Sequence, residues 1–152
     1  MLLSDEDLFT IGEGVWTSIA EGFFEQAAPE DAKFEGNVVS AFVQITGDWE
    51  GVVSIRCSRA LSETIASSMF ALEPNELSNE EIYDAVGEIA NMIGGGVKSI
   101  AEGESTLTIP VVAEGNENVA TVPGTTTENT VVAKVGNEPM VLQVSTRASV
   151  AS

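Results

Sequence analysis

Residues 83–96, YDAVGEIANMIGGG, form the centre of a segment whose apolar spacing predicts the longest helix of the chain. We expect this helix to run from about Asn79 to Ala101, because Ser78 and Glu81 form a capping-box pattern at its start. The apolar residues that fall within a band of about 80° on a helical projection are Ile82, Val86, Ile89, Ile93, Val97 and Ile100. This band predicts the face that packs on the core.

Three polar residues lie almost opposite that band, and we call them the outward stripe: Asp84, Glu88 and Asn91. An amphipathic helix needs a polar outer face, so ordinary solvation alone can account for such a stripe. Asn91 is nevertheless a poor residue for the middle of a helix, where Ala, Glu or Lys would be more stabilising. The stripe is therefore a candidate binding surface as well as a solvated face.

Gly87, Gly94 and Gly95 border the outward stripe, and each glycine costs about 1 kcal/mol relative to alanine inside a helix. The absence of side chains here would let the backbone of a partner approach closely. A helix that simply ends at Gly94 is the alternative explanation. Val97 and Ile100 continue the apolar spacing beyond this point, which favours a continuous helix.

The segments around this helix predict an α+β fold, with helices packed on one face of an antiparallel sheet. Residues 2–25 predict a first helix capped by Ser4, with Phe23 on its apolar side. Residues 37–58 predict a β-hairpin, and residues 58–72 a second helix. The later segments that predict strands are residues 105–115, 118–124, 129–136 and 139–149. We expect one domain over residues 1–152, in the order helix, two strands, two helices, several strands.

The composition excludes several classes of function. Aspartate and glutamate number 24 against 6 lysines and arginines, a net charge of −18 that disfavours nucleic acid and anionic membranes as partners. The chain has no histidine, so histidine-based catalysis and histidine-ligated zinc are excluded. The lone Cys57 lies in a predicted strand, where a buried, inert thiol is expected. Neither a signal peptide nor a membrane-spanning run is visible, so we expect a cytoplasmic protein.

Two acidic segments, residues 4–9 and 73–81, raise the alternative of calcium binding. Neither has the glycine and the terminal glutamate of an EF-hand loop at the required offsets. Trp16 is expected in the core, whereas Trp49 in the hairpin turn either packs on a neighbour or contacts a partner. Lys98 lies on the polar side of the central helix, and we interpret it as solvated rather than as an aid to phosphate approach.

Residues 84–99, DAVGEIANMIGGGVKS, resemble the signature of the CheC/CheX/FliY family of phosphatases, which act on the phosphorylated response regulator CheY in bacterial chemotaxis. The family pattern has an acidic residue or serine, three residues, glutamate, two residues and asparagine, with a proline on a later strand. Asp84, Glu88 and Asn91 match the helical part, and Pro110 resembles the proline. Residues 47–70 resemble the strand and helix that precede the signature. The resemblance covers well over half of the chain.

The resemblance implies the chemistry of the site. Asn91 would hold the water that attacks the aspartyl phosphate, and Glu88 would pair with a lysine of the response regulator. Asp84 would contribute to docking. No cofactor is expected in this chain, because Mg²⁺ belongs to the response regulator in this family. A non-catalytic module that docks on a response regulator or a flagellar switch component is the alternative.

A single signature in a short chain is similar to the CheX branch of the family, since CheC and FliY carry two such helices. Residues 4–23 contain no glutamate followed three positions later by asparagine. The CheX branch implies a homodimer with one active helix in each subunit. The predicted antiparallel strands leave a sheet edge through which two copies could pair.

Overall fold

The computed structural model describes residues 3–116 and 123–147. Within these ranges the helices are α1 (Asp5–Ile19), α2 (Arg59–Phe70) and α3 (Asn79–Ile100). The strands are β1 (Phe24–Gln26), β2 (Val38–Gly47), β3 (Gly51–Ser58), β4 (Ser105–Leu107), β5 (Val111–Gly115), β6 (Thr125–Val135) and β7 (Glu138–Arg147). The predicted α+β class and the order of its major elements are confirmed.

The strands form one antiparallel sheet in the order β1-β6-β7-β3-β2, with both β4 and β5 beside β2 at the outer edge. The predicted hairpin is formed by β2 and β3. A second hairpin joins β6 and β7 through a turn at Gly136, whose φ of 62° suits a glycine. The turn predicted at residues 136–138 is therefore confirmed.

The three helices cover one face of this sheet, and alternate strand residues point into the core between the two layers. On β2 the buried residues of this face are Val39, Ala41, Val43 and Ile45, and on β3 they are Val53, Ile55 and Cys57. Helix α3 packs on β2 and β3 and contacts both other helices. Helix α3 also contacts β4 and β5, the strands of the outer edge, so the edge of the sheet lies beside this helix.

Helix α3 begins and continues as its sequence predicts. The backbone N–H of Glu81 donates to Ser78 Oγ at 3.1 Å, and the Ser78 N–H donates to Glu81 Oε1 at 2.9 Å. The helix then passes through the three glycines and ends at Ile100, so the alternative of an end at Gly94 is wrong. Ile100 is 38% exposed because the core face ends with the last helical turn.

The chain between α1 and β2 departs from the prediction. Helix α1 ends at Ile19, and Phe24 begins the short strand β1, which pairs with β6. Phe23, expected on the apolar side of the first helix, lies outside it and is 80% exposed. The strand predicted for residues 118–124 falls almost entirely on residues 117–122, which lie outside the described ranges.

Several single-residue expectations have clear outcomes. Trp16 is buried in the core, as predicted. Trp49 is half-buried, packs against the core and lies over Gly51, so it contacts a neighbour within the chain. Cys57 is buried in β3, and burial followed by the charge of Glu138 raises the pKa of its thiol to about 12. A thiol that stays protonated is unreactive, as expected.

Candidate functional site

The outward stripe lies on the side of α3 that faces away from the sheet. Asp84 and Glu88 are exposed and Asn91 is half-buried, with one helical turn between successive members. Within residues 3–116 and 123–147, no side chain forms a hydrogen bond or an ion pair with any of the three. Their polar groups are therefore available to water or to a partner.

The glycines beside the stripe differ in what surrounds them. A Cβ on Gly94 would lie 2.7 Å from Val43 Cγ2, and one on Gly87 would lie 3.3 Å from Val112 Cγ2. Both glycines are buried, so internal packing of α3 on β2 and β5 explains why they carry no side chain. A Cβ on Gly95 would meet nothing within 4 Å. Of the three glycines, Gly95 alone has open space beside it.

Pro110 lies beside the centre of α3, immediately before β5, and is half-buried. Its Cβ would be 3.4 Å from a Cβ on Gly87, which brings the outer edge of the sheet close to the helix. The proline separates β4 from β5, and Thr108 maintains the pairing with β2 at this break. Thr108 N–H donates to Gln44 O at 2.9 Å, and Gln44 N–H donates to Thr108 Oγ1 at 3.0 Å.

A network of polar side chains joins α3 to the same edge, and we call it the Glu114 network: Asn37, Arg59, Tyr83 and Glu114. Arg59 Nη1 lies 2.6 Å from Glu114 Oε1 in a salt bridge, and the Tyr83 hydroxyl donates to the same oxygen at 2.7 Å. Asn37 Nδ2 donates to the other carboxylate oxygen at 3.2 Å. The network fixes the first turns of α3 against β5 and α2.

The electrostatics of the network follow from these contacts. Only 13% of the Glu114 side chain is exposed, and this burial alone would raise the pKa of its carboxyl group. Hydrogen bonds from Tyr83, Asn37 and Arg59, with the charge of Arg59, outweigh burial and lower that pKa. The hydrogen bond to Glu114 is the main cause of a raised pKa for Tyr83. Glu114 is thus held as a carboxylate.

No pattern in the sequence predicts this network. Glu114 lies 55 positions from Arg59 and 31 from Tyr83, so no helical or strand periodicity relates the three residues. The acidic residues are also dispersed. Within the described residues, no three histidine, cysteine, aspartate or glutamate side chains are grouped so that they could hold a metal ion. In the same ranges, no helix combines the length and the apolar character needed to span a membrane.

The amide and the two carboxylates of the outward stripe limit the chemistry of this surface. An asparagine amide both donates and accepts hydrogen bonds, so Asn91 can orient a water molecule without changing its protonation state. Glu88, three residues away, presents a negative charge on the same side of the helix. These groups stand on the surface of one helix, so a reaction would require a partner that encloses them and supplies the reacting group.

Comparison with known families assigns most of this chain to one of them. Residues 39–134 match the family model described as chemotaxis phosphatase CheX. The match extends from β2 into β6 and includes the outward stripe, Pro110 and Glu114. No curated protein matches the chain.

Solved structures share the fold. The chemotaxis protein CheX from Vibrio vulnificus superposes with a TM-score of 0.75 at 22% identity, over 92% of this chain and 93% of that one. A chain of the CheX–CheY–BeF3–Mg²⁺ complex from Borrelia burgdorferi gives 0.74 at 18% identity, over 97% of this chain and 100% of that one. Thermotoga maritima FliY gives 0.58 at 18% identity, over 97% and 93%. The chain belongs to the CheX family of chemotaxis phosphatases.

Proposed function

We propose that this chain stimulates hydrolysis of the aspartyl phosphate on a CheY-type response regulator, by laying the outward stripe of α3 into the phosphorylation site of the receiver. One observation carries the proposal: Asp84, Glu88 and Asn91 stand in line on the side of α3 that faces away from the sheet, with no partner among the described side chains. The family match and the Borrelia burgdorferi complex, which contains CheY, BeF3 and Mg²⁺, support the choice of partner.

Asn91 is the catalytic residue of this proposal. Its side-chain amide holds a water molecule in line with the phosphorus–oxygen bond that joins the phosphoryl group to the aspartate. The water oxygen bonds to phosphorus as that bond breaks, which yields inorganic phosphate and a free aspartate carboxylate. Phosphoryl transfer depends mainly on positioning and charge neutralisation, so an uncharged amide is sufficient for this role. The Mg²⁺ that neutralises phosphoryl charge belongs to the receiver.

Glu88 and Asp84 serve docking. Glu88 pairs with a lysine of the receiver, which fixes the helix one turn from the reacting group. Asp84 extends the same contact toward the start of α3. Gly95 allows the partner to approach the helix closely, because, apart from its chain neighbours and the adjacent helix backbone, no described atom lies within 4 Å of its Cβ position. Gly87 and Gly94 support this surface from inside, through the packing of α3 on the sheet.

The second candidate is a binding module that docks on a response regulator without catalysis. The exposed carboxylates suit both candidates, but the half-buried Asn91 favours catalysis, because docking by charge does not require an amide. A homodimer through a sheet edge also stays a prediction. The strands at the two edges are β1 on one side and β4 with β5 on the other. The molar mass measured by light scattering tests this prediction.

The decisive experiment is to follow the loss of phosphate from a phosphorylated CheY-type receiver with and without this protein. We expect catalytic amounts to accelerate the loss. Binding to the phosphorylated receiver without acceleration would instead support the binding module. Absence of both binding and acceleration across a panel of CheY-type receivers would contradict both candidates.

A further inference from the structure

Lys98 extends the line of Asn91 along α3. Lys98 is seven positions after Asn91, so it lies about 10 Å farther along the helix axis and within about 20° of Asn91 on the projection. Gly95 lies between the two, with open space at its Cβ position. A partner that covers Asn91 and continues toward the end of the helix therefore meets Lys98 next.

Lys98 is the basic residue of α3, and it forms no salt bridge with any residue that the structure describes. It is half-buried and lines a shallow cleft of about 530 Å³ with the end of β2, the start of β4 and the preceding Gly103 and Glu104, whose carboxylate forms no salt bridge with it. Within residues 3–116 and 123–147, both salt bridges belong to Arg59. Arg56 lies over the ring of Phe34 at 5.9 Å. The charge of Lys98 is thus not neutralised by a contact within the described chain.

The net charge of the chain makes a basic residue next to the outward stripe important for docking. A protein of charge −18 must approach a receiver pocket that holds a phosphoryl group and the carboxylates that bind Mg²⁺. Two acidic surfaces repel each other unless opposite charges are paired across the interface. Along the exposed side of α3 the charges run from the acidic Asp84 and Glu88, past Asn91, to the basic Lys98. This polarity distinguishes the two directions in which a receiver could lie.

We propose that Lys98 pairs with a carboxylate of the docked receiver, beside its phosphorylation site, and so fixes the direction in which the receiver lies along α3. The proposal rests on the proposed function, because it takes a CheY-type receiver as the partner. Lys98 acts on encounter and orientation and does not touch the reacting atoms. It is therefore a positioning residue, whereas Asn91 is the catalytic one.

The test compares charge reversal at two lysines. The Lys98→Glu and Lys134→Glu variants change the net charge equally, but Lys134 lies on β6, three strands from β2 across the sheet. Binding is measured by stopped flow against CheY-type receivers loaded with beryllium trifluoride and Mg²⁺, beginning with Borrelia burgdorferi CheY. At low ionic strength we expect Lys98→Glu to slow association about tenfold and Lys134→Glu less than about twofold. The difference should shrink as salt is added.

Two further variants separate charge from structure. Lys98→Arg should keep the association rate within about twofold, and Lys98→Gln should slow it less than charge reversal does. Lys98 also lies in the last turn of α3, where a cation favours the helix dipole. A loss due only to that dipole would lower the melting temperature without a salt-dependent change in association. This result would overturn the proposal.

Three other outcomes would each decide between the pairing at Lys98 and the alternatives. If Lys98→Glu and Lys134→Glu slow association equally, the slowing is due to the change in net charge alone. This result would refute a pairing at Lys98. If the wild type binds the loaded receiver but does not accelerate phosphate loss, the proposed catalysis fails while the pairing at Lys98 is still tested by binding. If the wild type binds none of the receivers, both proposals are wrong.

Discussion

Helices α1 and α3 start alike and differ on their outer surfaces. Each begins at a serine that forms a capping box, Ser4 in α1 and Ser78 in α3. Each also has a buried glycine facing inward: a Cβ on Gly12 would lie 2.6 Å from Leu142 Cδ1, as close as the corresponding contact at Gly94. Each has an outward glycine with open space, namely Gly14 in α1 and Gly95 in α3.

The outward polar groups separate the two helices. On α1 the Thr17 hydroxyl donates to Gly14 O at 3.1 Å, and the Ser18 hydroxyl donates to Val15 O at 2.7 Å. Both hydroxyls are thus satisfied by their own helix. On α3 the side chains of Glu88 and Asn91 have no partner among the described residues. The exposed Glu13 of α1 likewise has no partner among the described residues, so the feature that distinguishes α3 is an amide, Asn91, one turn from an exposed carboxylate.

The largest expected effect is on catalysis. Asn91→Ala should reduce stimulated dephosphorylation by about 100-fold, because the attacking water loses its orientation. The matched change on α1, Thr17→Ala, should leave the rate unchanged. Both variants should fold, because neither side chain is buried. Normal activity of Asn91→Ala in the receiver assay would remove the proposed distinction between the two helices.

The next effect concerns the glycines. Gly94→Ala should lower the free energy of unfolding by about 2 kcal/mol, because the new Cβ would overlap Val43 on β2. Gly95→Ala should raise it by up to about 1 kcal/mol through helix propensity, yet weaken receiver binding if the partner approaches there. Urea unfolding and a binding titration measure the two quantities. Equal stability changes at both positions would contradict the internal packing role of Gly94.

A smaller effect is expected at Glu88. Glu88→Ala should weaken productive engagement of the receiver about tenfold, mainly through KM, because a charge pair across the interface is lost. Glu13→Ala is the control, since Glu13 is an exposed glutamate on α1. Steady-state kinetics at varied receiver concentration separate KM from kcat. Unchanged binding and turnover would refute the pairing of Glu88 with a receiver lysine.

The smallest effect is on stability through the Glu114 network. Glu114→Gln should lower the free energy of unfolding by about 1 kcal/mol at neutral pH, because charged hydrogen bonds become neutral ones. The folded protein lowers the pKa of Glu114 from its ordinary value of 4.5, so the carboxylate stabilises the fold above that pH. The difference between wild type and variant should therefore shrink as pH falls below 4.5. A difference that is constant from neutral to acidic pH would contradict this.

Local signals in the sequence account for what could be predicted. The Ser78 capping box and the apolar spacing located α3 to within one residue of its observed end, since both signals act between residues a turn apart. The hairpin of β2 and β3 was likewise predicted from its turn and its β-branched strands. The outward stripe was found from the same spacing that located the core face of α3.

Contacts between distant segments account for what was missed. Strand β1 exists because it pairs with β6, about a hundred residues later, and three residues carry no periodicity. The close packing of Gly87 depends on where Pro110 and Val112 lie, which the helix sequence does not reveal. For the same reason the helix sequence predicts space for a partner at Gly87 and Gly94, where the structure has internal packing. The outward stripe lies on one helix and is therefore visible in the sequence, whereas the Glu114 network is gathered from several elements and is not.

The break at Pro110 has a consequence for self-association of the chain. A long, flat sheet edge exposes unpaired backbone groups and invites other chains to add strands, which leads to aggregation. Here the outer edge consists of β4 and β5, with three and five residues, and proline between them lacks an N–H to donate. The opposite edge, β1, has three residues. This strand covers only the last three residues of β6, so the interruption by proline is a property of the outer edge alone. Together with the charge of −18, the interrupted outer edge opposes indiscriminate stacking of this chain at high concentration.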